Sequence, residues 1–356
     1  MRLSLPAGGG PAFVLLRIGL LIGLLAGCGP AAPVHMESFV FGTRVELLIA
    51  GVPEAKARAA GNQVLAEFDR LHRTYHAWQP SELSTLNAAI ADGRSSEVST
   101  ELAGYLREAQ ALSRQGEGLF DPGVGRLIAL WGFQTDDIQP HLPPPAELAA
   151  LLAQHPSIAD LVIDGRRVTS RNRAVAIDFG GYLKGVALDR AAVILKAAGV
   201  HDALINIGGN ILALGSKNGA PWRVGIQHPR AESVGGAPLA SLELHDGEAI
   251  GTSGDYQRYF MAEGARYSHL IDPRTGRPAQ GAQAVTLLIP PGPQAGMRSD
   301  AWSKPIFIAG ANWRAMAAKL GVTAVLKVGA DGTVKATLQL RQRLKPEAPG
   351  VVIEAP

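Results

Sequence analysis

The stretch from residue 175 to residue 215 constrains the fold more than any other part of the chain. It reads VAIDFGGYLKGVALDRAAVILKAAGVHDALINIGGNILALG. Residues 175–179 are mostly apolar and include β-branched side chains, which predicts a buried strand. A glycine pair follows, and apolar residues then recur at three- and four-residue spacings, which predicts a helix that ends at Gly199. A second buried strand is predicted at 203–207, so the segment alternates strand and helix.

Two glycine pairs, Gly180-Gly181 and Gly208-Gly209, interrupt this pattern. Glycine lets a ligand approach the backbone closely, and a helix N-terminus offers unpaired N–H groups to an anion, so one interpretation is a phosphate-bearing ligand. The other interpretation is that both pairs are turns, because neither is followed by the spacing of a dinucleotide fingerprint or a P-loop. Asp178 and Lys184 are polar residues beside an apolar strand, and they favour a ligand site.

The first 27 residues have the pattern of a targeting segment. Two arginines precede an apolar core at 18–25, and the run ends in Leu-Ala-Gly followed by Cys28, which resembles a bacterial lipobox. Residues 1–27 are therefore predicted to be a lipoprotein signal peptide, and 28–36 a lipidated cysteine with its tether. The alternatives are a plain signal peptide or a membrane anchor, but the core is shorter than the roughly 20 apolar residues of a spanning helix. We expect an exported protein that is lipid-anchored to the bacterial cell envelope on its periplasmic side.

Composition and charge indicate an ordinary globular protein. The chain has 356 residues, of which 47% are hydrophobic and 18% charged, and its formal net charge is +3. Two of the positive charges lie in the leader, so no basic face is predicted and a nucleic-acid partner is not expected. Neither an internal repeat nor a central linker divides the sequence. We therefore predict a single domain from 37 to 356.

The sequence excludes several kinds of catalytic site. Cys28 is the single cysteine, which argues against a thiolate zinc site and a cysteine nucleophile. His72 and His76 have the four-residue spacing that zinc enzymes use on a helix. However, Arg73 stands where the glutamate of an H-E-x-x-H motif would be, so the pair is interpreted as structural. There is no G-x-S-x-G elbow.

The kind of site that remains is one built from oxygen ligands. Five aspartates lie within two residues of glycine, proline or another small residue, and they are Asp121, Asp178, Asp255, Asp272 and Asp300. Carboxylates and carbonyls in such turns suit a hard cation such as Mg²⁺, which prefers oxygen ligands and substrate phosphates. Each aspartate taken alone is more typical of a turn or a helix cap than of a metal site, and it is the set of five that favours a cation.

A series of short motifs runs in order along almost the whole mature sequence. They are FGT (41–43), W-x-P followed by SEL (78–83), LFDPGVGRLIALWGF (119–133), DFGGYLKGVALD (178–189), NIGGNILALG (206–215), TSGDYQRYF (252–260), HLIDPRTGRP (269–278) and SDAW…FIAG (299–310). This series resembles that of the ApbE family, the bacterial FAD:protein FMN transferases, which are often exported lipoproteins. Each motif is weak alone, and the resemblance rests on eight of them in order.

The resemblance implies a fold and an activity. The fold would be α+β, a T-fold-like domain of mixed, mainly antiparallel sheets packed with helices and holding FAD in a cleft. The activity would be a Mg²⁺-dependent transferase that splits the FAD diphosphate, releases AMP and attaches FMN by a phosphoester to a threonine of a target flavoprotein. Some members of the family instead hydrolyse FAD to FMN and AMP.

The resemblance also assigns roles to residues. It implies contacts to FAD from eight of them: Phe41, Trp78, Leu119, Phe120, Asp121, Lys184, Ser253 and Thr275. The metal would be held by the backbone carbonyl of Gly181, by Asp300 and by a threonine four residues later. His269 would be the general base toward the acceptor hydroxyl.

The chain departs from this pattern at one ligand, because Lys304 stands where the threonine is expected. An ammonium has no lone pair and cannot ligate Mg²⁺. Three interpretations follow. In the first, Lys304 points away and water completes the metal shell. In the second, Lys304 pairs with Asp300 and puts its own charge at the metal position, and in the third the protein binds FAD but transfers little FMN. The alternative function is therefore a catalytically weak FAD-binding lipoprotein that acts as a flavin carrier or assembly factor. A solute-binding lipoprotein is the third hypothesis, but the sequence lacks a two-lobed organisation.

Overall fold

The computed structural model describes residues 32–231 and 237–356. Over these ranges the α-helices are α1 (Glu54–Thr74), α2 (Glu82–Ala91), α3 (Thr100–Gln115), α4 (Gly125–Leu130), α5 (Pro145–Leu152), α6 (Leu183–Ala197), α7 (Ala295–Ile308), α8 (Trp313–Lys319) and α9 (Leu338–Arg341). None of the helices in these ranges has the length and apolar character to cross a membrane. The predicted signal peptide and Cys28 lie outside the described residues.

The strands of the described residues form one large sheet and several small ones. The large sheet has the order β1-β2-β6-β7-β10-β15-β16-β17-β19, and its neighbours are antiparallel apart from the parallel pair β17–β19. Its strands are β1 (Val34–Val40), β2 (Thr43–Ala50), β6 (Asp202–Ile207), β7 (Asn210–Leu214), β10 (Ala249–Gly254), β15 (Ala282–Ile289), β16 (Ala324–Gly329), β17 (Val334–Ala336) and β19 (Ile353–Glu354). Helices packed on a mainly antiparallel sheet confirm the predicted α+β class.

Four smaller sheets surround it in the described residues: β8-β9-β18, β3-β5-β4, β11-β12 and β13-β14. Their bounds are β3 (Ser96–Glu97), β4 (Leu161–Asp164), β5 (Arg167–Ser170), β8 (Trp222–Ile226), β9 (Ala240–Leu244), β11 (Tyr259–Ala262), β12 (Ala265–Ser268), β13 (Ile271–Asp272), β14 (Arg277–Pro278) and β18 (Lys345–Pro346).

Successive side chains of a strand point to opposite faces of the sheet, and both faces of the large sheet are covered by a core. In β2, Val45, Leu47 and Ile49 belong to the core that the helices complete, and each is at most 1% exposed. Leu48 and Ala50, which point the other way, pack into a second core shared with β8 and β9. The helical face is the one that carries the candidate site.

The first hairpin places an aromatic residue at its turn. β1 pairs with β2 from Val34 opposite Ile49 to Val40 opposite Thr43. The two turn residues, Phe41 and Gly42, both have positive φ, 57° and 67°, as the tight turns of two-residue hairpins require. Because β1 begins at Val34, the last three residues of the predicted tether, 34–36, are part of this strand and the ordered domain begins before residue 37.

The prediction of a strand at 175–179 was wrong. The segment is extended and buried, but its ladder pairing is limited to an isolated bridge between Ala176 and Val124. One edge of the segment bonds to the 122–125 loop, where the Ala176 and Asp178 N–H groups donate to the carbonyls of Gly123 and Pro122 at 3.2 and 2.8 Å. At the other edge a side chain replaces a strand: the Asn87 amide donates to the Ile177 carbonyl at 2.9 Å and accepts from the Ile177 N–H at 2.7 Å. An apolar run predicts burial, but it cannot show what satisfies the backbone.

The rest of that stretch folds as predicted. Helix α6 is followed by Gly199 at a φ of 67°, and the N–H of Val200 reaches back to the Leu195 carbonyl at 2.9 Å, which is a Schellman ending. Strand β6 follows and turns at Gly208-Gly209 into β7, with Ile207 opposite Asn210. The second glycine pair is therefore a hairpin turn.

Helices α6 and α7 cap each other. Gly185 and Gly296 meet where the helices cross, and a Cβ on Gly185 would stand 2.5 Å from the Gly296 carbonyl oxygen. Asp189 of α6 accepts from the Gly296 and Met297 N–H groups at the start of α7, each at 2.9 Å. In return, Asp300 of α7 accepts from the Gly185 N–H at the start of α6, also at 2.9 Å. Neither helix has a side-chain cap at its own N-cap residue, so each N-terminus depends on the other helix.

Candidate functional site

A pocket opens beside the first hairpin, the end of α1 and the start of α6. Its cavity volume is about 240 Å³. Three of the residues predicted to contact FAD line it: Phe41, Trp78 and Lys184. Gly180, from the first glycine pair, lines it as well. These residues are far apart in the chain, and the fold brings them together.

One wall of the pocket is a row of four rings. Phe41 lies 5.6 Å from His72, His72 lies 4.9 Å from His76, and His76 lies 4.6 Å from Trp78, measured between ring centroids. The positive φ of Phe41 turns its side chain toward α1 at a backbone conformation that is uncommon outside glycine. We call these four residues the aromatic wall, and its rings offer π surface to a planar ligand.

The two histidines of the aromatic wall were interpreted from sequence as a structural pair. They do pack on each other, but both also line the pocket. Burial lowers the pKa of His72 and of His76, which favours neutral rings. His76 Nδ1 accepts from the N–H of Gln79 at 3.2 Å, so the ring is fixed at the start of the loop that carries Trp78. The sequence signal for this wall was the four-residue spacing of His72 and His76 on a predicted helix, followed closely by Trp78.

The opposite side of the pocket is charged. Lys184 Nζ donates to the Gly180 carbonyl at 2.9 Å, and Asp178 accepts from the Gly180 N–H at 2.8 Å. Arg258 also lines the pocket and is held by donation to the carbonyls of Phe133 and Thr135, at 2.8 and 2.9 Å. Sequence reasoning did not select Arg258, although it lies inside the TSGDYQRYF motif.

Behind the glycine turn lies a buried ion pair between Asp300 and Lys304. The side chain of Asp300 is fully buried and that of Lys304 is 11% exposed. Lys304 Nζ donates to the Asp300 carboxylate and, at 2.9 Å, to the Asp300 backbone carbonyl. Of the three interpretations of Lys304, the structure therefore has the one in which the lysine pairs with Asp300.

Both groups of this pair are ionised at neutral pH. Burial acts to raise the pKa of the Asp300 carboxyl, but the positive charges of Lys184 and Lys304 outweigh it and the pKa lies below its usual range. Burial lowers the pKa of Lys304 to about 8, against the opposing charge of Asp300.

The residues at this position do not fit a divalent metal ion. One oxygen of Asp300 accepts from Lys304 and the other from the Gly185 N–H at 2.9 Å. A Cβ on Gly181 would stand 3.1 Å from Lys304 Cε, so the lysine stem fills the space between Gly181 and Asp300. Lys304 supplies donors where Mg²⁺ requires oxygen ligands.

His269 lies beside the pocket, next to Arg258. Its Nδ1 is 3.2 Å from the Arg258 carbonyl oxygen, which can only accept, so Nδ1 carries the proton and Nε2 keeps its lone pair. Burial, followed by the positive charge of Arg258, lowers the pKa of His269 to about 3. The imidazole is therefore a neutral acceptor at physiological pH.

The structure places Leu119, Phe120 and Asp121 outside the pocket lining. Leu119 and Phe120 are buried, and Phe120 Cε2 lies 3.7 Å from where a Cβ on Gly181 would be. Asp121 accepts from the Gly123 and Ile158 N–H groups at 2.8 Å each, which ties two loops together, and burial raises its pKa. Their contact with FAD stays a prediction.

Ser253 and Thr275 also lie outside the lining. Ser253 is buried and shares a hydrogen bond of 2.7 Å with Ser303, one residue before Lys304. Thr275 is exposed in the turn after Asp272, whose carboxylate pairs with Arg274 at 2.7 Å. Asp255 pairs in the same way with Arg230. Of the five turn aspartates, Asp178 is the one among the described lining residues.

The fold and the site define a class: an α+β domain with an aromatic-walled pocket next to a buried lysine–aspartate pair. A family model described as "ApbE family" matches residues 41–326. The chain belongs to the ApbE family.

Two relatives and two solved structures illustrate the similarity. A Rhodobacter capsulatus protein named FAD:protein FMN transferase is 43% identical over 349 residues, which are 96% of this chain but 65% of that relative. A Vibrio cholerae protein of the same name is 34% identical over 272 residues, covering 74% of this chain and 79% of the relative. The crystal structure of the ApbE protein from Thermotoga maritima has a TM-score of 0.79 at 29% identity, over 87% of this chain and 99% of that one. For the flavin transferase ApbE from Vibrio cholerae the TM-score is 0.73 at 28% identity, over 88% and 100%.

Proposed function

We propose that this protein is an FAD:protein FMN transferase. The threonine hydroxyl of a target flavoprotein attacks the phosphorus of the FMN half of FAD. The new P–O bond is the phosphoester to threonine, the bond that breaks joins this phosphorus to the oxygen of AMP, and AMP leaves. The hydroxyl proton goes to a base on the enzyme. Hydrolysis of FAD to FMN and AMP is the same displacement with water in place of threonine.

The observation that carries this proposal is the aromatic wall facing a lysine-bearing glycine turn in a chain of this family. FAD has two planar ring systems joined by a diphosphate. The rings of Phe41 and Trp78 offer stacking surfaces for a planar group, and Lys184 and Arg258 offer positive charge to the diphosphate.

His269 is the base that the proposal requires. Because Nδ1 donates to the Arg258 carbonyl, the free lone pair on Nε2 is available for the threonine proton. Burial and the nearby positive charges disfavour the imidazolium and give His269 its low pKa. The charge of a bound diphosphate acts in the opposite direction and raises the basicity of the ring.

The test is AMP release from FAD and covalent flavin on an acceptor domain, measured for the wild type, His269→Gln and His201→Gln. Loss of a general base lowers the transfer rate by about 10²- to 10⁴-fold, so His269→Gln should lose transfer while still binding FAD. His201 is exposed and serves as the matched control, with activity equal to the wild type. Without AMP or covalent flavin from the wild type, in either Mg²⁺ or EDTA, the proposal fails.

The second candidate is an FAD-binding carrier or assembly factor. The observation that favours it is the Asp300–Lys304 pair, which occupies the position where the resemblance implies a metal. A carrier would bind FAD stoichiometrically and return it intact. The same AMP assay therefore separates the two functions.

We propose further that the protein is exported and held on the periplasmic side of the envelope through a lipid on Cys28. The lipobox-like sequence before Cys28 supports this, as does the absence of other cysteines from the chain. A flavoprotein with its acceptor threonine on the same side of the membrane would then be the partner.

A further inference from the structure

We infer that the ammonium of Lys304 is the resident cation of this site, and that FMN transfer in this protein proceeds without a divalent metal ion. The catalytic half of this inference rests on the proposed function. The half that concerns metal binding depends on the site alone and is tested separately.

The first argument is the place of Lys304 in helix α7. It lies one turn after Asp300, and its Nζ contacts both the carboxylate and the backbone carbonyl of that residue. An ammonium group has three N–H donors. Among the described residues, the Lys304 ammonium has two acceptors, the carboxylate and the backbone carbonyl of Asp300. The Lys304 side chain keeps 11% of its surface exposed, and through this opening the third N–H would meet an oxygen of a ligand.

The second argument is the position of this ammonium relative to the glycine turn. Lys184 Nζ contacts the carbonyl of Gly180 at 2.9 Å, and the stem of Lys304 lies against Gly181. The turn therefore has a lysine on each side, and its Gly180 face lines the pocket. Asp300 neutralises Lys304, and burial raises the pKa of Asp178 at the same turn, which disfavours its carboxylate. The ammonium of Lys184 is therefore left for the diphosphate.

The third argument is that a metal ion and Lys304 exclude each other. A divalent ion bound to Asp300 would lie within a few ångströms of the ammonium, where like charges repel strongly in a buried site. Moving Lys304 aside would break a buried ion pair and leave a buried charge unpaired, which is strongly destabilising. With glycine at 181, the stem of Lys304 has room to lie against the backbone.

The chemistry requires positive charge more than it requires a metal. Phosphoryl transfer spreads negative charge over the oxygens of the moving group, and catalysis consists mainly of positioning and electrostatic stabilisation. Fixed ammonium groups at the turn supply that stabilisation without reorganisation during the reaction. Bond making and breaking remain those of the proposed transfer.

The experiment has two measurements on the folded, full-length protein. Binding of Mn²⁺ is titrated by EPR for the wild type, Lys304→Thr and Lys196→Thr. AMP release from FAD is measured for the same proteins in Mg²⁺ and in EDTA. Lys196 is an exposed lysine near the end of α6, so Lys196→Thr makes the same chemical change away from the site.

The wild type and Lys196→Thr should show no Mn²⁺ binding above background, and their AMP release should change less than about twofold between Mg²⁺ and EDTA. Lys304→Thr frees an oxygen of Asp300 and adds a hydroxyl, so it should bind Mn²⁺ at least about tenfold more tightly and release AMP only with metal present. A shift of its melting temperature on Mn²⁺ addition, absent in the wild type, reports the same gain if the variant is less stable.

Stoichiometric Mn²⁺ binding by the wild type, or AMP release that disappears in EDTA, overturns the inference and leaves the proposed transfer intact. If none of the three proteins releases AMP, the proposed function fails. The Mn²⁺ titration then still decides whether Lys304 is the resident cation.

Discussion

At the residue scale, the candidate site is built from side chains whose positions depend on strain or burial. Phe41 occupies a left-handed conformation that costs of order 1–3 kcal/mol outside glycine, asparagine and aspartate. This strained residue lies in the turn between β1 and β2, and its side chain is the first ring of the aromatic wall. Its ring packs edge-on against His72, and this contact fixes the turn against helix α1.

Trp78 gives a clean test of the aromatic wall. It is 37% exposed and its ring contact is with His76, so Trp78→Ala should leave the free energy of unfolding nearly unchanged. If the ring stacks on FAD, its loss should weaken FAD binding by about 1–3 kcal/mol. Titration by flavin fluorescence measures this loss. Met261→Ala, at an apolar residue that is 49% exposed on β11, is the control, and equal affinities for the two variants would contradict the role of Trp78.

The sequence predicted part of this site. Phe41, Trp78 and Lys184 came from the motif series and do meet in one pocket, whereas His72 and His76 were set aside. A helical spacing shows which residues share a face, but not what that face meets. Likewise, the four-residue spacing of Asp300 and Lys304 allowed a pair, while the choice among three arrangements depended on the tertiary packing around them.

At the element scale, the crossing of α6 and α7 organises the site. The Gly185 and Gly296 contact lets the helices approach closely enough for each carboxylate to reach the other helix's first turn. These N-terminal N–H groups would otherwise lack intrahelical partners. The start of α6, which carries Lys184, is therefore fixed by a residue 115 positions later in the chain.

Asp189 should make the stability of this crossing depend on pH. Burial raises its pKa to about 6, above the usual 3.8, so the folded protein holds a proton between these values that the unfolded chain has released. Its contribution to the free energy of unfolding is present below about pH 4 and is lost as the pH rises through 6.

Asp189→Asn cannot ionise, so between pH 4.5 and 7 it should gain on the order of 2 kcal/mol relative to the wild type. Urea unfolding at both pH values measures the difference. Asp164→Asn, at an exposed position, should show no such change with pH. An equal difference at the two pH values would mean that Asp189 is not the group that titrates.

Local elements were predictable and non-local pairing was not. The end of α6 could be placed at Gly199 because a left-handed residue stops a helix by local geometry. The prediction of a strand at 175–179 failed because the partners of this segment are a loop at 122–125 and the amide of Asn87, about 90 residues earlier in the chain. The order of the large sheet, in which β7 lies next to β10 and β17 next to β19, is likewise set by contacts that no local pattern contains.

At the scale of the whole molecule, the short distance between Cys28 and the first strand is informative. β1 starts at Val34, six residues after Cys28, and a chain of that length spans roughly 20 Å at most. Phe39 and Val40 of the same strand line the pocket. These two residues lie at the far end of β1, roughly a further 20 Å from Val34. If Cys28 carries a lipid, the pocket therefore lies within about 40 Å of the anchor, which suits an acceptor flavoprotein on the same side of the membrane.

Replacing Cys28 tests the anchor. The wild type should fractionate with membranes, and mass spectrometry should find Cys28 as a lipid-modified N-terminus. Cys28→Ser should lack the lipid and leave the membrane fraction or remain as uncleaved precursor, because the modified sulfur is gone. Purified Cys28→Ser should release AMP at the wild-type rate, since the folded domain is untouched. A wild type without lipid on Cys28, or a cleaved Cys28→Ser protein that still fractionates with membranes, would count against lipid anchoring.

The reciprocal capping of α6 and α7 has a consequence for how such sequences evolve. Asp300 is required by the architecture, because it holds the start of α6, whether or not an ion is ever bound to it. A lineage that exchanges its metal for a lysine therefore still retains the aspartate under selection for folding. We therefore predict that, among related proteins, the residue at position 304 distinguishes metal-dependent from metal-independent members, whereas an aspartate at position 300 does not.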